Sequence, residues 1–132
     1  MGLSVNWCTA NIGALATNQP GDLFAWGETE PRTGFTMENY KYKDPEYKQW
    51  TIDIGTEISG TEYDIATQKN KDWRLPTKEE FLELCEKCKW QWIGKGKNKG
   101  YRITGPNGNY IFLPTGGQDT FGKSNKKMGN YW

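Results

Sequence analysis

Cys85 and Cys88 are the residues of this 132-residue chain best spaced for thiol chemistry. A redox Cys-X-X-Cys pair sits at a helix N-terminus, where the helix dipole lowers the thiol pKa. Here the pair falls in the last turn of a predicted helix, the wrong end. Structural zinc takes four Cys or His ligands, and the chain has three cysteines and no histidine. Cys85 therefore reads as a core residue, and Cys88 as core or as half of a disulfide with Cys8, a bond that an exported protein can keep. The lack of histidine also removes the commonest general base and any Ser-His-Asp or Cys-His arrangement.

Three other groupings could do chemistry. Glu28 and Glu30 beside Trp26 resemble the carboxylate pair of a glycosidase, but residues two apart on one short loop do not flank a glycosidic bond from opposite sides. They read as structural or surface residues. Five lysines between Lys87 and Lys99 are interleaved with Trp90 and Trp92, the mixture that binds single-stranded nucleic acid. An acidic first half offers these lysines a counter-field, so a solvated loop is the preferred reading and no nucleic acid is expected. Gln118, Asp119, Phe121, Lys123, Asn125 and Tyr131 carry the rings and hydrogen-bonding groups of a sugar site. These six are the candidate ligand-binding residues, and a disordered or partner-covered end is the alternative. No cofactor or metal is called for.

The elements that must hold these groups are short. Leu3, Val5 and Trp7 alternate with polar residues and predict a strand; residues 22–26 predict a second, ended by Gly27. Residues 27–49 read as a long ordered loop carrying Phe35, Tyr40, Tyr42 and Tyr47. Asp64 caps a short helix through about Lys69. Pro76 forces Leu75 toward extended backbone and presents Thr77 as the cap of a helix over residues 78–88. Thr77 and Glu80 form its capping box, and Phe81, Leu84, Cys85 and Cys88 its buried stripe. Arg74 is placed to pair with an acidic residue of the first half. Trp90 and Trp92 alternate as in a strand. Residues 94–100 form a basic loop, and residues 101–104 and 109–113 a hairpin around Gly105–Gly108.

Composition sets the kind of core. Leu, Ile, Val and Phe number 21 of 132 residues, while Trp, Tyr and Phe number 19. Net charge is only +1, which with so many rings argues against disorder. The expectation is a core in which rings, Trp7, Trp26, Trp73 and Trp90 first, replace branched aliphatics. Charge is bipolar: residues 1–66 carry a net −6 and residues 67–132 a net +7. No apolar run approaches the ~20 residues that cross a bilayer, and Met1–Ser4 does not open a signal peptide.

Several blocks together carry a family resemblance: Gly2–Trp7, Asn11–Ala14, Gly21–Pro31, Glu38–Lys41, Trp73–Thr77 with Glu80 and Phe81, Cys88–Trp92, Gly100–Tyr101, and Thr104–Asn109 with Ile111–Pro114. In this order they resemble the Fibrobacter succinogenes major paralogous domain family. The resemblance implies a C-type-lectin-like α+β fold: two helices, a small antiparallel sheet and long ordered loops, in one domain over residues 1–132. It implies a bacterial cell-surface, secreted or lipoprotein setting of Bacteroides type and carries over no catalytic activity; the leading expectation is a non-enzymatic module binding glycan or protein through its loops. A small thiol-dependent enzyme on that fold and an architectural repeat unit are the alternatives. The family often has a cysteine where this chain has Ala10; Cys8 lies two residues earlier. It also continues past Trp132 with closing strands, so this chain is expected to be short at its C-terminus. A sheet edge left unpaired there invites a partner strand or a second copy.

Overall fold

The computed structural model describes residues 1–46, 54–94, 99–115 and 131, and the backbone of residues 119–120 and 123–124. Helices α1 (Ile65–Lys69) and α2 (Lys78–Lys87) precede strands β1 (Lys89–Ile93), β2 (Gly100–Thr104), β3 (Tyr110–Pro114), β4 (Asp119–Thr120) and β5 (Lys123–Ser124). β1, β2 and β3 form an antiparallel sheet in that order, and β4 pairs with β5 in a separate ribbon. The fold is therefore α+β. Two compact units divide it: Met1–Asp22 with Pro76–Gln118 and Asn125–Trp132, and Leu23–Leu75 with Asp119–Ser124.

In the first of these units, α2 starts as its sequence dictates. Thr77 Oγ1 accepts from the Glu80 amide at 3.3 Å, and the Glu80 carboxylate accepts from the Thr77 amide at 2.9 Å. Glu79 and Glu80 lie in the first turn and Lys87 in the last, each favourable to the helix dipole. Leu84 is the one buried residue of α2, and it meets Ile103 of β2 and Ile111 of β3. Met1, Leu3, Trp7, Phe81, Cys88, Trp90 and Leu113 pack round this trio, each partly buried. The β2–β3 turn closes as expected: the Gly108 amide donates to Gly105 O at 3.0 Å, with Gly108 at φ +84.

In the unit that holds α1, polar groups set the loops. The Asp64 carboxylate is fully buried. It accepts from the amides of Gly60 (2.7 Å), Ala66 (2.8 Å), Thr67 (3.3 Å) and Leu75 (2.8 Å), and from Thr67 Oγ1 (3.1 Å). One side chain thus caps α1 and fixes both the turn before it and the extended segment leading to Pro76. Glu28, also buried, accepts from Arg32 Nη2 at 2.7 Å and from the Lys41 amide at 2.8 Å. The Tyr40 hydroxyl donates to Trp26 O at 2.8 Å, and the Tyr42 ring meets Tyr40 and Tyr63 edge-on. Residues 27–46 are thus the ordered loop expected; Tyr47 lies outside the described residues.

Five expectations need correction. Residues 3–7 are not a strand: burial alternates as expected, but the Ser4 amide donates to the Glu83 carboxylate instead of a neighbouring strand. Residues 22–26 make isolated bonds, Asp22 N–H to Ile12 O and Arg32 N–H to Leu23 O, rather than a ladder. Cys85 is exposed, because the α2 stripe runs through Phe81, Leu84 and Cys88 and turns Cys85 away. The cysteines Cys8, Cys85 and Cys88 are free, so the Cys8–Cys88 disulfide is absent. Among the described residues, the buried hydrophobic ones are aliphatic: Ile58, Ile65, Ala66, Leu84, Ile103 and Ile111. Trp7, Trp26 and Trp90 are half-buried, and Trp73 is 46% exposed. A large ring on a small core shields its rim more readily than it fills its centre. Trp73 is held by its backbone, its amide donating to Asn70 O and its carbonyl accepting from Thr67 Oγ1. Arg74 donates to Ser59 Oγ at 3.3 Å and to Leu75 O at 3.1 Å.

Two stability outcomes follow from these contacts. Thr77→Ala should cost about 1 kcal/mol. Asp64→Ala strands several buried amides and should cost about 3 kcal/mol. Urea titrations measure both, and equal losses would contradict the ranking. The Lys87 ammonium (2.8 Å) and the Ser4 hydroxyl and amide hold the Glu83 carboxyl at about 2, well below its ordinary 4.5. A carboxyl depressed in the folded state stabilises above the unfolded pKa and loses that contribution as pH falls through the folded one. The stability advantage of the native chain over Glu83→Gln should be full above pH 4.5 and vanish as pH approaches 2. A pH-independent difference would contradict it.

Candidate functional site

Strand register decides which rings share a face. Trp90 lies opposite Ile103, and Ile103 opposite Ile111; Trp92 lies opposite Tyr101, and Tyr101 opposite Leu113. Directly paired residues point to the same side of a sheet. Trp90, Trp92 and Tyr101 therefore lie on the face that carries Ile103 and Ile111. Leu84 of α2 packs on the Ile103–Ile111 end of that face. At the other end, Trp92 is 48% exposed and Tyr101 42% exposed.

The rings are fixed in orientation. Trp90 Nε1 donates to Leu84 O at 3.1 Å, giving a last-turn helix carbonyl a partner. Tyr101 sits between the two indoles, edge-on to Trp90 at 5.5 Å and to Trp92 at 5.1 Å. A Cβ on Gly94 would come within 2.7 Å of Trp92 Nε1, so the residue that follows β1 must be small for the indole to lie where it does. A half-wet, pre-oriented ladder of rings can stack on a flat, weakly polar ligand face. The Tyr101 phenol is its one group able to transfer a proton.

Gln118, Phe121 and Asn125 lie outside the described residues. Asp119 and Lys123 are placed by backbone alone, in β4 and β5. The Tyr131 hydroxyl donates to Pro114 O and accepts from Asn11 Nδ2 at 3.1 Å, and burial raises its pKa. Its polar end is thus engaged by the scaffold. Sequence reasoning placed Trp90 and Trp92 in a strand and in a basic stretch, but missed Tyr101 as their partner. The signal was available: a hairpin with residues 94–99 as its connection sets Tyr101 beside Trp92.

The other groupings are occupied or held away from reactive states as far as the described residues show them. Glu28 is committed to Arg32 and the Lys41 amide, while Glu30 is exposed. Burial, with the Glu83 carboxylate adding to it, raises the Cys88 thiol above its ordinary value, opposite to an activated thiolate. Lys87 is bound to Glu83, and residues 95–98 of the basic loop lie outside the described residues. Among the described residues, no group of three or more His, Cys, Asp or Glu side chains could hold a metal ion. No helix among them is long and apolar enough to cross a membrane.

Thiol counting under denaturing, non-reducing conditions should find three free thiols. In the folded protein, alkylation should reach Cys8 and Cys85 before Cys88; preferential labelling of Cys88 would contradict its environment. Comparisons with family models, curated proteins and solved structures find no match to this chain.

Proposed function

We propose that this chain is a non-enzymatic, lectin-like module of a bacterial surface-exposed or secreted protein, and that it binds glycan through the Trp90–Tyr101–Trp92 ladder. The resemblance to the Fibrobacter succinogenes major paralogous domain family supplies the lectin-like and cell-surface parts of this reading. The observation that carries the binding part is the Trp92–Tyr101 pair, locked at 5.1 Å with over two-fifths of each residue exposed. A sugar ring has one face of C–H groups, which packs on an indole or phenol face much as apolar surface does, while its hydroxyls stay in contact with water. The α2–sheet contact below holds the rings in place before ligand arrives, so little conformational freedom is lost on binding.

The test is a glycan array on the native chain, followed by calorimetry on its best ligand. Trp92→Ala and Tyr101→Ala should each weaken binding at least tenfold while leaving the circular-dichroism spectrum and unfolding midpoint nearly unchanged. Trp73→Ala, which removes another exposed indole, should leave affinity unaltered. Absence of glycan binding, or equal sensitivity to all three changes, would refute the assignment.

A further inference from the structure

The opposite face of the same sheet carries a different set of groups. Lys89 pairs with Thr104 and Thr104 with Tyr110; Gln91 pairs with Arg102 and Arg102 with Phe112. These residues alternate with the ring ladder and so lie on the other side. Lys89, Gln91, Arg102 and Tyr110 are exposed. The Arg102 guanidinium carbon lies 3.9 Å from the centroid of the Tyr110 ring. Among the described residues, no carboxylate forms an ion pair with it. Phe112 is the β3 partner of Arg102, its Cζ 2.8 Å from where a Cβ on Gly100 would be. The local charge is one-sided: residues 87–114 contain five lysines and one arginine, and no Asp or Glu.

From this we infer that the Arg102 face is a second binding site, for the carboxylate of an acidic sugar. Stacking on Tyr110 orients the guanidinium plane and leaves its N–H edge for a two-point bond to a carboxylate. Gln91, directly across the strand pair, and Lys89, on the diagonal, stand within side-chain reach of the same group. Thr104 and Gln91 supply hydroxyl partners. A nucleic-acid strand is the less suitable occupant, because bases need free ring faces and the guanidinium already covers that of Tyr110. An acidic peptide is also less suitable, because its carboxylate side chains bring no ring hydroxyls for Thr104 and Gln91 to bond.

The test is a titration of the full chain with an oligogalacturonate, read by amide chemical shifts and calorimetry. Shifts should centre on Lys89, Gln91 and Arg102. Methyl esterification of the uronate carboxyls should weaken binding at least tenfold, as should Arg102→Ala. Arg102→Lys should give a smaller loss, with unchanged spectra showing that both variants fold. Trp92→Ala should leave uronate binding intact, which separates this site from the ring ladder. Three results would overturn the proposal: equal binding of the methyl ester, loss with Trp92→Ala but not with Arg102→Ala, or tighter Arg102-dependent binding of a poly-glutamate peptide or single-stranded oligonucleotide.

Discussion

Leu84 holds the sheet to its helix. With Ile103 and Ile111 it makes a three-residue buried core, and the capping box at Thr77 sets where along the sheet Leu84 lands. Full burial of one leucine contributes only about 1.5–3 kcal/mol, so so small a trio cannot alone fix a helix on three strands. The shell of half-buried groups completes the contact. The Trp90 indole reaches the last turn of α2 through Leu84 O, and Trp7 meets Phe81 edge-on at 6.2 Å. Rings suit this position because each is broad enough to shield the rim while one edge stays wet. Leu84 packs at the Ile103–Ile111 end of the sheet face, and the ring row continues past it to the exposed Trp92 and Tyr101.

Where aliphatic residues are scarcer still, hydrogen bonds replace packing. The loop-rich unit buries Ile58, Ile65 and Ala66 beside the carboxylates of Asp64 and Glu28. A buried carboxylate is costly unless its oxygens are filled. Asp64 meets that condition with five donors. Glu28 takes Arg32 and a backbone amide on one oxygen, Oε1, and Arg32 also lies over Phe35. Such interactions are directional. They specify the path of an irregular chain more sharply than non-directional apolar burial could.

The parts legible in the sequence are those governed by local rules. The caps at Asp64 and Thr77, the extent of α2 and the β2–β3 hairpin all depend on neighbours within a few residues. The failures come from distant partners. Residues 3–7 have strand periodicity and inward burial, but a strand is defined by its ladder, and Glu83 takes the Ser4 amide instead. Cys85 fits a helical stripe on paper, but the trio on the sheet selects Phe81, Leu84 and Cys88. Trp73 has the size and apolarity of a core residue; its position is set by backbone bonds to Asn70 and Thr67, which sequence periodicity does not encode. The ring ladder was half legible, since Trp90 and Trp92 alternate openly while Tyr101 joins them only through register.

Exposed rings are common in a chain this rich in aromatics, so exposure alone does not mark a site. Trp73 and Tyr110 are exposed to a similar degree as Trp92. What separates them is the support beneath each ring. Trp92 is braced by Tyr101 and by the close approach of Gly94, so its orientation persists without a ligand. The face of Tyr110 is already occupied by Arg102, which turns that ring from a stacking surface into a platform for a cation. Alternation along the strands then assigns the two roles to opposite sides of one three-stranded sheet. A weakly polar surface and a cationic one can therefore be held rigid by the same small core without competing for a ligand.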